Sequence, residues 1–508
     1  MILSKEKEHK IRTLFVFACL LCSLPIILTT YPPMVDIPQH AAQISFINAW
    51  SGDNLKFKDL FELNPFAPYW LGYGIVLLFA QLTSVITSIK IVIAIALVSF
   101  PLSCALFRKE TNIPAHFDWL FLPLVFGFAY DWGFFNFLIG APVGMIFLRD
   151  VLRYQKGIIS PWRIALWVNF LFFTHILIML FFCTLGFLLL LPNRFSIFAI
   201  IKKSAPLFAS VPLTLIWFLI YIKTGQSQEP GPWGLGVYRI HQFLPNMLSL
   251  PETMHFISIS ILLCALPLIL GKPISRSFAK LLPFAFYLLW MLLAPNYLFG
   301  NFFTYNRFGM FGLPLYFLMF DYDKSFYSEK TNTLLRSKMK FLIFFVSLVG
   351  VLLLTRITMN SLIYERESIG YQYISKHMQP KKRVLTLVFN NRSSIHNNKT
   401  HANFAPVFLH YPVWYQAEKL GLVDYNFASF DGMIVHYKTK TQPTAGRGFE
   451  WMPHRFDWDY HNAHLYDYFV IKANTDLVHS LQNNNPEMKL VTYKDDWWLF
   501  EYSNKTTD

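Results

Sequence analysis

The sequence predicts a polytopic α-helical membrane protein with a C-terminal external α/β domain. Of its 508 residues, 54% are hydrophobic and only 15% are charged, against roughly 25% charged in soluble globular domains. Apolar runs long enough to cross a bilayer recur as far as residue 358. The remainder, 359–508, is polar and contains short alternating runs. We predict about eleven transmembrane helices, within a range of roughly 9–13.

The chain begins with a predicted membrane helix. Basic residues lie before an apolar run over 13–30, which lacks a small-x-small cleavage site, so we expect an uncleaved helix with a cytoplasmic N-terminus. The polar, proline-rich segment 31–68 is the predicted first external loop. Further spans are predicted at about 69–87, 89–107, 205–222, 255–271, 281–299, 307–320 and 341–358.

Two longer apolar stretches each contain a polar interruption. Asp131 interrupts 119–148, where we predict one broken crossing. Thr174 and His175 interrupt 164–191, which has basic residues beyond both ends. Because basic residues favour the cytoplasmic side, the second stretch should make an even number of passes, as in a tilted hairpin or a re-entrant pair.

Residues 359–508 predict one soluble domain. The runs over 383–389 and 468–472 are typical of β-strands, and the segment is long enough for an α/β domain. The chain is therefore divided into a transmembrane module, 1–358, which includes the first external loop, and an external domain, 359–508.

The distribution of positive charge sets the predicted topology. Basic loops at 272–280 and 324–340 are expected in the cytoplasm, which places the C-terminal domain on the external, periplasmic face of a bacterial inner (plasma) membrane. The formal charge of +14 could suggest nucleic acid, but the basic residues gather in short links between apolar runs. We therefore expect a membrane lipid as a partner and no nucleic acid.

The first external loop contains the most informative residues. Asp36 lies between prolines, and His40 begins an amphipathic stretch that can lie along the membrane surface. A carboxylate held in this way could act as a general base, with His40 orienting it or titrating near neutral pH. Alternatively, Asp36 is the N-cap of the amphipathic helix, and His40 is an interfacial hydrogen-bonding residue.

Three further polar residues lie in apolar surroundings. Arg307, near the external end of a predicted span, could bind a phosphate or could extend to the membrane surface. Asp131 and His175 should face a cavity or each other, because both would be costly against lipid. They could bind substrate or could specify helix packing.

Five short segments carry a family resemblance: Asp36-x-Pro38-x-His40, 133–140, 305–308, 466–471 and 497–501. They accompany an external-loop acid directly after the first helix, broken early helices and a C-terminal external domain. With these features the sequence resembles the GT-C superfamily of integral-membrane glycosyltransferases.

The resemblance implies transfer of a hexosyl or pentosyl group from a polyprenyl-phosphate donor to a glycan, lipid or protein acceptor at the external face. The family's loop acid corresponds to Asp36. Members often have two adjacent acids there, whereas this chain has one. No cofactor is assigned; a divalent cation, Mg²⁺ or Mn²⁺, stays an open alternative, and metal ligands are unknown.

Two other functions stay open. A lipid or glycolipid transporter or flippase also needs polar residues in broken helices, although transporters often show two related halves and the sequence shows no such repeat. A non-catalytic membrane assembly protein with the same fold differs from the enzyme only in activity.

Overall fold

The computed structural model describes residues 5–52, 55–191, 197–223, 233, 236–250, 254–322, 333–396, 405–430, 432–446 and 448–503. The helices are α1 (Lys5–Leu21), α2 (Leu24–Ile27), α3 (Ile37–Ala49), α4 (Trp70–Ala80), α5 (Val85–Glu110), α6 (Phe128–Trp132), α7 (Phe135–Gln155), α8 (Pro161–Thr174), α9 (Ile176–Leu190), α10 (Ile197–Ser204), α11 (Val211–Lys223), α12 (Val237–Leu248), α13 (Met254–Ile269), α14 (Phe278–Leu293), α15 (Gly312–Leu318), α16 (Thr333–Ser375), α17 (Trp414–Lys419) and α18 (Thr475–Asn484). The strands are β1 (Phe61–Leu63), β2 (Tyr297–Leu298), β3 (Asn301–Phe302), β4 (Arg383–Val388), β5 (Leu422–Val423), β6 (Val435–Tyr437), β7 (Tyr468–Lys472), β8 (Met488–Lys494) and β9 (Trp497–Tyr502).

Several helices have the length and composition of membrane spans. Among the described residues, four could cross a bilayer: Lys10–Ile27, α5, α7 and the part of α16 from Phe344 to Ser375. A fifth would arise if α10 and α11, which bend by 57° at their junction, formed one span. These helices support an integral membrane protein. The count of about eleven stays a prediction.

Both polar interruptions coincide with helix ends, as predicted. The stretch 119–148 breaks after Trp132, where Gly133 has a φ of +72° before α7 begins. The stretch 164–191 breaks at His175, an extended residue with φ −169° between α8 and α9. A single non-helical residue therefore separates α8 from α9.

The last membrane helix is longer than the sequence predicted. The span predicted at 341–358 lies within α16, which has 43 residues and ends at Ser375. The charged residues after 358 stay helical, and Glu365 accepts a 2.8 Å hydrogen bond from the backbone N–H of Thr30. Part of the predicted basic loop 324–340, residues 324–332, lies outside the described residues.

The chain forms two compact units, each built from separated segments. The first unit comprises 1–27, 93–130 and 136–359. The second unit comprises 28–92, 131–135 and 360–508. The first external loop and the C-terminal segment thus belong to the same unit.

A five-stranded mixed sheet lies in the second unit, in the order β5-β4-β7-β9-β8. Strand β4 is parallel to β5 and β7, whereas β9 is antiparallel to β7 and β8. The strands predicted at 383–389 and 468–472 are confirmed as β4 and β7. Apolar side chains of β4, β7 and β9 form one core together with Val478 of α18.

Helix α3 docks onto the C-terminal segment within the second unit. The side-chain amide of Gln43 donates to the carbonyl of Val435 at 2.7 Å, and its oxygen accepts from the N–H of the same residue at 3.3 Å. The hydroxyl of Ser45 donates to the carbonyl of Ala417 at 2.7 Å. Strand β1 pairs with β6 beside these contacts. Because buried polar groups need partners, these bonds fix the position of the helix that Asp36 precedes.

Candidate functional site

Asp36 lies in a loop whose backbone is fixed on both sides. Its N–H donates to the carbonyl of Trp132 at 2.9 Å, and the N–H of Val35 donates to the carbonyl of Asp131 at 3.2 Å. Asp36 itself is 8% exposed. Asp131 therefore contributes its backbone to the same loop.

The carboxylate of Asp36 does not cap α3. Asp36 occupies the N-cap position with φ −92° and ψ −9°, a helical conformation, and makes no side-chain capping hydrogen bond. An N-cap side chain normally accepts from the second or third backbone N–H, with an extended backbone at the cap. The structure therefore does not support the alternative in which Asp36 serves as a helix cap.

Gly133 allows the close approach between the Asp36 loop and the end of α6. A Cβ at this position would lie 3.0 Å from atoms of both Met34 and Ile37, and 3.2 Å from the backbone nitrogen of Asp36. The positive φ of Gly133 adds strain for any other residue. Glycine is thus required here by both conformation and packing.

We expect Gly133→Ala to destabilise the protein more than Gly157→Ala. Gly157 has nearly the same φ, +73°, but nothing lies within 4 Å of its hypothetical Cβ. Both variants incur conformational strain, and only Gly133→Ala also disturbs packing, which costs about 1–3 kcal/mol. Thermal unfolding of the two variants in detergent measures the difference. Equal midpoints would contradict the close packing of the Asp36 loop.

His40 is enclosed by aromatic rings one turn into α3. Its Nδ1 forms a 2.8 Å hydrogen bond with the hydroxyl of Tyr73, and its ring contacts Phe135 and Phe427. Burial lowers the pKa of His40 to about 3. The ring is therefore neutral at physiological pH, which favours an orienting role over proton transfer.

His410, which the sequence did not single out, lies beside Asp36. Its Nε2 is 3.6 Å from Oδ1 of Asp36, and the two side chains are 5% and 12% exposed. Burial lowers the pKa of His410 to about 3. No sequence signal could have identified it, because its position depends on the docking of α3 against the C-terminal segment.

The first unit contains a buried arginine and histidine in contact. Nη1 of Arg307 lies 3.2 Å from Nε2 of His175, and both residues are 4% exposed. Arg307 also donates to the carbonyls of Phe302 and Phe303 and lies over the ring of Phe137. The guanidinium is enclosed by protein, so the structure does not support the alternative in which Arg307 extends to the membrane surface.

Hydrogen bonding indicates which nitrogen of His175 carries the proton. Its Nδ1 accepts from the N–H of Leu177 at 3.2 Å, so the proton of a neutral ring is on Nε2. The Nε2–H and a guanidinium N–H of Arg307 are then neighbouring donors. Both groups are donors that an anionic oxygen could contact, because hydrogen bonds between a guanidinium and an anionic oxygen are strong.

The five residues proposed from the sequence divide between the two units. Asp36, His40 and Asp131 lie in the second unit, whereas His175 and Arg307 lie in the first. In the part of the chain that the structure describes, no three His, Cys, Asp or Glu side chains form a group that could hold a metal ion.

The described residues define an integral membrane protein with broken apolar helices, an acid-bearing loop and a C-terminal segment onto which α3 docks. The structure is similar to that of ArnT from Cupriavidus metallidurans bound to undecaprenyl phosphate, with a TM-score of 0.54 and 11% identity over 96% of this chain and 97% of ArnT. It is also similar to the arabinofuranosyltransferase AftD from Mycobacteria, with a TM-score of 0.50 and 11% identity over 97% of this chain and 40% of AftD. No family model and no curated protein matches the sequence. The resemblance to the GT-C superfamily is thus confirmed at the level of the fold.

Proposed function

We propose that the protein is a membrane glycosyltransferase that moves a sugar from a polyprenyl-phosphate donor to an acceptor at the external membrane face. The observation that carries the proposal is the buried carboxylate of Asp36, which does not cap α3 and lies in a loop whose backbone is fixed by hydrogen bonds to the carbonyls of Asp131 and Trp132. The similarity in fold to ArnT and AftD supports the class of reaction. The group transferred would be a hexosyl or pentosyl unit, and the acceptor a glycan, lipid or protein.

In the proposed reaction, Asp36 takes the proton of an acceptor hydroxyl. The acceptor oxygen forms a bond with the anomeric carbon while the bond from that carbon to the phosphate oxygen breaks, with inversion. The electron pair of the broken bond stays on the departing polyprenyl phosphate. His175 and Arg307, within the first unit, are proposed to bind the phosphate of the lipid-linked donor, because hydrogen bonds from a charged donor to phosphate are strong.

A divalent cation, Mg²⁺ or Mn²⁺, is the alternative left open by the sequence. Mg²⁺ prefers oxygen ligands, and among the described residues no three His, Cys, Asp or Glu side chains form a group that could hold a metal ion. The reaction is therefore proposed with Asp36 as the base and with no step assigned to a metal. Transfer in the presence of EDTA, compared with transfer in added Mg²⁺ or Mn²⁺, tests this directly.

Mass spectrometry of lipid-linked sugars tests the function in cells. Loss of the protein should cause a polyprenyl-phosphate sugar to accumulate, and the matching sugar should disappear from cell-surface glycans or lipids. If the protein were a flippase, its loss would instead leave the lipid-linked sugar on the cytoplasmic face, where impermeant reagents do not reach it. If it were an assembly protein, its loss would leave the level of the lipid-linked sugar unchanged. Either result would contradict the glycosyltransferase.

We also propose a topology with a cytoplasmic N-terminus and an external C-terminal segment in a bacterial inner membrane. Single exposed cysteines can report it, because all five native cysteines are buried or half-buried. We expect an impermeant maleimide to label Ser480→Cys, on α18, in intact spheroplasts. Ser277→Cys, at the N-cap of α14 in the predicted cytoplasmic loop, should be labelled only after permeabilisation. The opposite pattern would reverse the proposed orientation.

A further inference from the structure

His410 and Asp36 come together within the second unit although they are far apart in the sequence. The Nε2 to Oδ1 distance of 3.6 Å exceeds that of an N–H···O hydrogen bond, which is about 2.7–3.2 Å. A shift of less than about 1 Å would close the gap, and catalytic hydrogen bonds are often long before substrate binds. The pair is therefore placed to form a hydrogen bond during catalysis.

The surroundings of His410 determine its proton position. The ring is neutral because burial lowers its pKa to about 3. Its Nδ1 is buried, with no hydrogen-bond partner among the described residues. A proton on Nδ1 would leave a buried donor unsatisfied and direct the Nε2 lone pair at a carboxylate oxygen. A proton on Nε2 leaves Nδ1 as a buried acceptor without a partner among the described residues, but it replaces the repulsion between the Nε2 lone pair and the carboxylate with an attractive N–H···O contact. We therefore infer that Nε2–H points towards Asp36.

Aromatic packing fixes the ring in this orientation. His410 stacks on Tyr425, with centroids 5.6 Å apart and planes 24° apart, and meets the edge of Phe427. The N–H of Phe427 donates to the side-chain oxygen of Gln39 at 2.9 Å. Since Gln39 is in the first turn of α3, the residues that hold His410 are attached to the helix that Asp36 precedes.

We propose that His410 is a positioning residue for Asp36: its Nε2–H donates to the carboxylate and directs the other oxygen towards the acceptor hydroxyl. The inference rests on the proposed function, because it assigns Asp36 as the base. It goes beyond that function by giving the C-terminal segment a part in catalysis. His410 itself exchanges no proton with the substrate.

Three substitutions at this position test the proposal. His410→Leu removes the donor, and we expect kcat to fall roughly 10- to 100-fold with donor KM unchanged, as when a supporting hydrogen bond is lost. His410→Gln places an amide N–H near the Nε2 position and should recover most of the activity. His410→Asn has the same polarity but is too short to reach the carboxylate, so it should resemble His410→Leu.

A matched control comes from a second histidine–carboxylate pair in the same unit. His436 lies opposite Glu62 in the β1–β6 pairing, with Nδ1 3.4 Å from the carboxylate. It is not part of the proposed site, so His436→Leu should leave kcat unchanged. If His410→Leu does not fold, as judged by thermal unfolding in detergent, the comparison of His410→Gln with His410→Asn replaces it.

A double-mutant comparison separates positioning from general stability. If His410 acts through Asp36, then His410→Leu should have no further effect in the Asp36→Asn background, because interacting residues are non-additive. Three outcomes would overturn the inference while leaving Asp36 as the base. They are a double variant whose loss of kcat is the product of the two single losses, equal kcat for His410→Gln and His410→Asn, and full activity of His410→Leu. Absence of transfer by the wild-type protein, or an active Asp36→Asn variant, would overturn both.

Discussion

Asp36→Asn is expected to lower the rate of sugar transfer by roughly 10²–10⁴-fold, the usual effect of removing a general base. Asparagine has nearly the same size and caps helices about as well as aspartate. The N–H of residue 36 still reaches the carbonyl of Trp132, because that bond uses only the backbone. The substitution therefore removes the charge and the proton-accepting capacity and leaves the loop in place.

Asp59→Asn provides a matched control for this prediction. Asp59 lies in the same external loop, 31–68, and is exposed, so its substitution should leave transfer near the wild-type rate. Both variants are assayed in membranes adjusted to equal protein level. Retention of more than about a tenth of the activity by Asp36→Asn would reject its assignment as the base, since even weak general bases contribute more.

Arg307→Gln is expected to reduce kcat/KM for the lipid-linked donor by roughly 30- to 1,000-fold. The estimate corresponds to about 2–4 kcal/mol for truncating one partner of a buried charged pair. Arg307→Lys keeps the charge but loses the planar fork that can engage a phosphate and the carbonyls of Phe302 and Phe303 together. It should restore only part of the activity.

Arg163→Gln is the control for Arg307. Arg163 is 48% exposed and pairs with the buried carboxylate of Asp150 in the same unit. Asp150 also accepts a 2.9 Å hydrogen bond from the indole N–H of Trp167, so replacing Arg163 removes an ion pair of this unit without leaving the carboxylate bare. Substitution of Arg163 should leave donor KM unchanged. Measuring KM for the donor and for the acceptor separately distinguishes donor binding from acceptor binding, because Arg307→Gln should change the KM for the donor alone. Equal effects of Arg307→Gln and Arg163→Gln would contradict phosphate binding by Arg307.

Helix α5 and the two helix breaks could be predicted from the sequence because apolar runs and their interruptions are local signals. The span predicted at 307–320 is wrong, since that stretch holds only a 3₁₀ segment and the seven-residue α15. The apolar stretches that contain Asp131 and His175 are both broken in the structure. Polar residues, and residues with a left-handed backbone conformation, disfavour a continuous helix within an apolar run. The end of α16 could not be predicted in this way. Its last turns carry charges typical of a soluble segment, and contacts such as that between Glu365 and Thr30 keep them helical.

The candidate site was predictable only where its residues follow one another in the chain. The loop with Asp36 and His40 is one continuous segment, so its prolines and carboxylate could be identified together. The proximity of His410 depends on the bonds of Gln39 and Gln43 to residues near 427 and 435, which no sequence spacing encodes. The contact of His175 with Arg307 likewise arises from tertiary packing.

Transfer by the purified protein in liposomes tests the central claim most directly. Polyprenyl-phosphate sugars are supplied singly with an extract of envelope acceptors, and the release of polyprenyl phosphate is followed by mass spectrometry for the wild-type protein and for Asp36→Asn. We expect one donor to be consumed with stoichiometric glycosylation of an acceptor, and roughly 10²–10⁴-fold slower consumption by the variant. If the wild-type protein and Asp36→Asn both translocated intact donor without releasing polyprenyl phosphate, the assignment as a glycosyltransferase would be contradicted.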